Sequence, residues 1–249
     1  MWVVNAPPGF AGFADQLTHD TLKVYERYAV EVVEQFGFCP WARASRESGE
    51  VALRVIFSAD RDDFGASLRL LEELERQAPA TDIALFIYPL LDLDRLGFED
   101  YVRRLRARAE TGGLGSAKQL DAFAMAAFHP SADADLSHPD RLVPFVRRSP
   151  DPTLQLVRKS ALSSIKGLAQ GTAFLDVSAL TLEALQSLQA PPPKALRERI
   201  AEQNLATVRG AGASAIEAVL TDIAREREAA HERLQERFGQ RGPRRLDPG

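Results

Sequence analysis

DAFAMAAFHPSADADLSHPDRLVPFVRRSPDPTLQLVRKS, residues 121–160, is the stretch on which the fold turns. With Leu120 before it, the run to Phe128 is apolar and predicts a buried strand. At the other end, Leu154, Val157, Ala161 and Ile165 recur at helical spacing and predict an amphipathic helix over Thr153 to Ile165. Between the two runs a long irregular loop carries His129, His138, Arg141, Arg147 and Arg148. A loop of that length in a compact domain is usually functional or disordered. Pro130, Pro139, Pro144, Pro150 and Pro152 restrict its backbone, which favours order.

Upstream, two more strands are expected. Val51, Leu53, Val55 and Phe57 alternate, and Ile83 to Tyr88 is a continuous apolar run of the kind covered on both faces. Helices are expected at Asp62 to Gln77 and around Phe98 to Ala109, so strand and helix alternate. That pattern predicts an α/β fold, with a small parallel or mixed sheet of three to four strands flanked by helices. Ligands of such sheets bind beyond the carboxyl ends of the strands, and His129 sits at such an end.

An earlier helix is expected over 21 to 36, with Asp20 as N-cap and Gly37 ending it. Downstream, Ala173 to Val177 reads as a fourth strand, Thr181 to Leu188 as a short helix and Pro191 to Pro193 as a stiff linker. Leu196 to Arg209 and Ala213 to Phe238 read as helices. The last has Ile216, Leu220, Ile223, Ala230 and Leu234 in a stripe that Arg227 interrupts. The implied organisation is an N-terminal arm over 1–19, an α/β domain over 20–212, a helical extension over 213–238 and a disordered tail over 239–249.

Composition limits the function classes. The net charge of −4 gives no general attraction to nucleic acid or membrane. Arg103, Arg104, Arg106 and Arg108 read as one solvated helix face. The start, MWVVNAPPGF, has no basic residue before its short apolar run, and no apolar run approaches the ~20 residues that span a bilayer. A cytoplasmic protein with no membrane partner is expected. Gly112-Gly113-Leu114-Gly115 is a turn without the spacing of a dinucleotide loop. The single cysteine, Cys39, has no internal disulfide partner. Pro40 fits the first position of a helical turn, which makes Cys39 its expected N-cap, with Arg43 and Arg46 adding positive charge.

Four blocks carry a resemblance. They are Phe38-Cys39-Pro40-Trp41-Ala42, Phe128-His129-Pro130, Arg148-Ser149-Pro150-Asp151-Pro152 and Asn204-Leu205-Ala206-Thr207-Val208-Arg209. In this order they resemble the blocks of domain-of-unknown-function family 1415, over roughly residues 20 to 210. The chain departs from the family pattern at Arg147, Asp151 and Gln155, where the family has Asn, Tyr and His, and at an insertion over 171–195. The resemblance brings no activity with it.

Three functions fit these residues. One is a thiol-dependent enzyme acting on a small carboxylate or phosphate. Cys39 is then the nucleophile and His129 the base, and Arg147, Arg148, Ser149, Asn204 and Arg209 bind substrate, with Arg148 as the anion clamp. Another is a non-catalytic module for an anionic ligand or a protein partner. The third is a metal or haem site from His129, His138, Cys39 or Asp133, although these have no compact ligand spacing and no metal is expected. The sequence names no cofactor and no oligomeric state.

Overall fold

A computed structural model describes residues 11–40, 42–76, 81–111, 123–159 and 196–238. The expected strand at 173–177, helix at 181–188, proline linker, 171–195 insertion, Gly112–Gly115 turn, first residues of the third strand, start of the arm and C-terminal tail lie outside them. Helix α1 (Ala11–Tyr28) runs into a π-helical segment (Ala29–Glu34) and is followed by α2 (Ala42–Glu47). Then come β1 (Val51–Val55), α3 (Gly65–Arg76), β2 (Ile83–Ile87), α4 (Arg95–Thr111) and β3 (Phe123–Phe128). The remainder is α5 (Pro139–Val146), β4 (Thr153–Arg158), α6 (Leu196–Ala211) and α7 (Ala213–Phe238).

The fold is α/β, with a mixed four-stranded sheet ordered β1-β2-β4-β3 and helices at the C-terminal end. The three strands expected at 51–57, 83–88 and 120–128 are present as β1, β2 and β3. β1 and β2 pair in parallel through α3, while β4 is antiparallel to both its neighbours. The helix expected at Thr153 to Ile165 is instead strand β4 at its start. Leu154 and Leu156 are both fully buried on one face, which is the alternation of a strand. The Leu154-to-Val157 spacing fits a helix equally well, so periodicity alone misleads here. The slot between β2 and β3 decides, because β4 satisfies the backbone of both.

Two further expectations need correction. α1 begins at Ala11, so Asp20 lies within the helix and does not cap it. The loop is not irregular throughout: the exposed His138 accepts the Asp140 amide on its ring as N-cap of α5, with Pro139 at the first position. Gly37 does take a positive φ of 65° behind the π-helical segment.

Helices α3 and α4 cover one face of the sheet. Phe64, Leu70, Leu74, Phe98, Tyr101 and Leu105 pack there on Phe86, Leu154 and Leu156. On the other face Val24, Tyr25 and Tyr28 of α1, Leu142 and Phe145 of α5, Leu205 and Val208 of α6, and Ile216, Leu220 and Ile223 of α7 join a cluster with Ile87. The five stripe residues expected on α7 are all buried. The α4 arginines are balanced on their own surface. Arg103 pairs with Asp100, Arg104 with Asp62, Arg106 with Glu110, and Arg108 lies 5.2 Å from the Phe64 ring centre.

Candidate functional site at the carboxyl ends of the strands

Val55, Ile87, Thr153 and Phe128 form one row across the sheet. One residue further, at the edge where ligands of open α/β sheets bind, stand Ile56, Tyr88, Pro152 and His129. The Tyr88 amide donates to the Pro152 carbonyl at 3.0 Å and carries the pairing past the strand ends.

His129 is buried and both ring nitrogens are engaged. Nε2 lies 2.9 Å from the Leu93 carbonyl and Nδ1 accepts the Ser131 amide at 3.1 Å. The first contact needs the proton on Nε2, which fixes the tautomer. The His129 amide also donates to the Arg147 carbonyl at 3.1 Å, tying the two ends of the loop together.

The Arg148–Pro152 segment is a hydrogen-bonded turn. Ser149 Oγ donates to the Asp151 carbonyl at 2.6 Å, and Thr153 Oγ1 and the Tyr25 hydroxyl approach the same oxygen at 2.9 and 3.1 Å. Tyr25 also pairs with Thr153. Burial, then the Asp151 charge, pushes the Tyr25 phenol well above its ordinary value, so it stays a donor. The Asp151 carboxylate is 1% exposed and meets Arg227 of α7, whose Nε donates to Oδ1 at 2.6 Å. Arg227 Nη2 reaches the Pro89 carbonyl at 3.3 Å. Asp151 Oδ2 has no partner among the described residues. His231, one turn further along α7, is held below its usual value by burial and by Arg227.

Arg148 leaves this turn in a fixed direction. Its Nε donates to the Pro130 carbonyl at 3.1 Å and its guanidinium lies 5.7 Å from the Phe145 ring centre. Nη1 reaches Glu217 Oε1 of α7 at 3.3 Å. Arg147 is exposed, with its guanidinium 5.8 Å from the Phe128 ring centre. Arg209 is also exposed and donates to the Leu136 carbonyl at 2.7 Å, while Asn204 is buried with Oδ1 unpartnered among the described residues.

The loop residues His129, Arg147, Arg148 and Ser149 therefore share one edge, and Arg209 braces the Leu136 end of the same loop. Cys39 lies beside Tyr28, whose ring centre is 6.0 Å from that of Tyr25. The Cys39 carbonyl accepts the Ala42 amide at 3.2 Å in the turn that leads to α2. Arg43 and Arg46 pair with Glu34, at 3.3 and 2.6 Å. Cys39 is half-buried beside α1: burial first, then the charge of its thiolate, raises the Tyr28 phenol well above the ordinary range. The Tyr28 hydroxyl is buried without a partner among the described residues.

Sequence reasoning missed Asp151, Arg227, Tyr25 and Glu217. Arg227 did leave a trace, as a cation in an otherwise apolar stripe, and Asp151 as an acid between two prolines. Glu217 and Tyr25 read as ordinary solvent and core positions. Among the described residues, no group of three or more His, Cys, Asp or Glu side chains could hold a metal ion, and no helix is long and apolar enough to cross a membrane.

Comparison with known proteins gives one match. No curated protein and no solved structure matches the chain. The model of the family described as "Protein of unknown function (DUF1415)" matches residues 21–178, which includes the Cys39 block, β1 to β4 and the Arg148–Pro152 turn. The chain belongs to the DUF1415 family.

Proposed function

We propose that this protein is a non-catalytic binding module for a small anionic ligand, a carboxylate or a phosphate, held by Arg148. The observation that carries this reading is the fixing of the Arg148 guanidinium. The Pro130 carbonyl holds Nε and the Phe145 ring lies 5.7 Å from the guanidinium, while Nη1 reaches a half-exposed carboxylate, Glu217. A pre-oriented guanidinium loses little freedom when it takes up an anion, and its fork matches carboxylate and phosphate oxygens. Arg147 adds a second positive charge on the same loop. A cytoplasmic location is part of the same proposal.

The test is a binding screen of small carboxylates and phosphates by thermal shift, followed by calorimetry. Ligands that stabilise the natural protein are expected to lose most of their effect on Arg148→Met and part of it on Arg148→Lys. Equal binding by Arg148→Met would sink the clamp.

A thiol function of Cys39 is the second reading, favoured by the unpartnered Tyr28 hydroxyl next to it. His129 is poorly suited to be its base, since both ring nitrogens are bonded to backbone groups.

A further inference from the structure

Arg148 and Glu217 meet through one nitrogen and one oxygen only, at 3.3 Å. An unhindered guanidinium–carboxylate pair closes to about 2.7–2.9 Å and often engages both edges. Arg148 has little freedom to close the gap by turning. Arg148 is tied by Pro130 and Phe145, and the Glu217 backbone sits between the buried Ile216 and Leu220 in the packed face of α7. Arg148 Nη2 and Glu217 Oε2 consequently have no partner among the described residues. Arg148 thus keeps open N–H donors and Glu217 an open carboxylate oxygen at a contact where Glu217 is 46% exposed.

This surface offers a cation and an anion at once. A phosphate or dicarboxylate placed on Arg148 would bring negative charge against Glu217, and the like charges repel. A ligand with an ammonium next to its carboxylate meets neither penalty. Its carboxylate takes the open Arg148 N–H groups and its ammonium takes Glu217 Oε2. We infer that the ligand of this clamp is a zwitterion of the amino-acid class, with Glu217 as the group that selects for its ammonium. The inference rests on the anion-clamp reading of Arg148 and narrows the ligand class within it.

The experiment compares free amino acids with their N-acetyl derivatives, the corresponding amines and inorganic phosphate, by thermal shift and calorimetry on the full chain. N-acetylation removes the ammonium and keeps the carboxylate. At least one free amino acid is expected to bind, with its N-acetyl form at least about tenfold weaker, a loss typical of a missing charged contact. Glu217→Gln is expected to weaken the free amino acid by a similar factor and to leave the melting temperature unchanged, because the side chain is half-exposed. Arg148→Met removes binding of every form. If N-acetyl forms or phosphate bind as well as free amino acids, or if Glu217→Gln tightens anion binding, Glu217 is only a competing carboxylate; the zwitterion inference then falls and the anion clamp stands. If no compound of any class binds, the clamp itself fails and the inference falls with it.

Discussion

Asp151 and Arg227 are 76 residues apart and meet at 2.6 Å under the end of the sheet. One lies between two prolines at the entry to β4, the other in the buried face of α7. Their contact joins the loop that delivers His129 and Arg148 to the last helix. The same helix supplies Glu217 to Arg148, so two ion pairs of opposite sense link α7 to this loop.

Breaking that pair should be expensive. Asp151→Asn and Arg227→Met each leave a buried or half-buried charge without its counterpart, and each is expected to destabilise by about 3 kcal/mol. Asp151→Leu combined with Arg227→Met removes both charges together and is expected to restore most of the loss. Urea unfolding of the three variants checks this. Additive losses in the double variant would mean that the two side chains act separately.

His231 predicts a pH dependence. Burial and the adjacent Arg227 hold its folded value below that of the unfolded chain, with Asp151 and Asp20 opposing them weakly. A base with a depressed folded value contributes stability that is complete above the unfolded value, about 6.5, and is lost as pH falls below it. Glu31, Glu34 and Glu226 are also held low, chiefly by arginine and lysine partners, and their contribution disappears only below the ordinary carboxylate range. Unfolding free energy measured between about pH 7 and 5 should therefore decline in the natural protein and decline less in His231→Gln. Identical slopes would exclude His231 as the cause.

The sequence was legible where one period dominated. Ile83 to Ile87 is continuously apolar and is a central strand; Ala213 to Phe238 has one stripe, broken at Arg227, and is one helix. It was misleading at Thr153 to Arg158, where two periods fit and the choice belongs to β2 and β3, residues far away in sequence. His138 shows a second kind of limit. Its Pro139 neighbour was a helix-start signal, yet an acidic, proline-rich surrounding hid the eight residues of α5. The site was half legible. His129 is expected at a strand end and the arginines in the loop that follows it, but the partners on α7 are set by tertiary packing and leave little local pattern.

His129 is expected to act as a loop brace. His129→Ala removes an acceptor for the Ser131 amide and a donor to the Leu93 carbonyl, both in part-buried bonds, and should destabilise by about 1–2 kcal/mol. His129→Asn keeps an acceptor near the Nδ1 position and should recover part of this. Amide hydrogen exchange at Ser131 is the direct readout. Protection that survives in His129→Ala would show that the bond is unimportant in solution.

Tyr28→Phe separates the two roles open to Cys39. The Tyr28 hydroxyl is buried without a partner among the described residues, so its deletion should leave stability unchanged or raise it by up to about 1 kcal/mol. If Cys39 is only a packing residue, its alkylation rate at fixed pH should also be unchanged. If the phenol supports a thiolate, the same substitution slows alkylation, because an O–H dipole next to the sulfur has been removed. The two readouts are independent, since one follows global unfolding and the other the chemistry of a single half-buried thiol. Slower alkylation with unaltered stability is the outcome expected from the thiol reading. An unaltered rate assigns Cys39 to the packing of the α1–α2 junction.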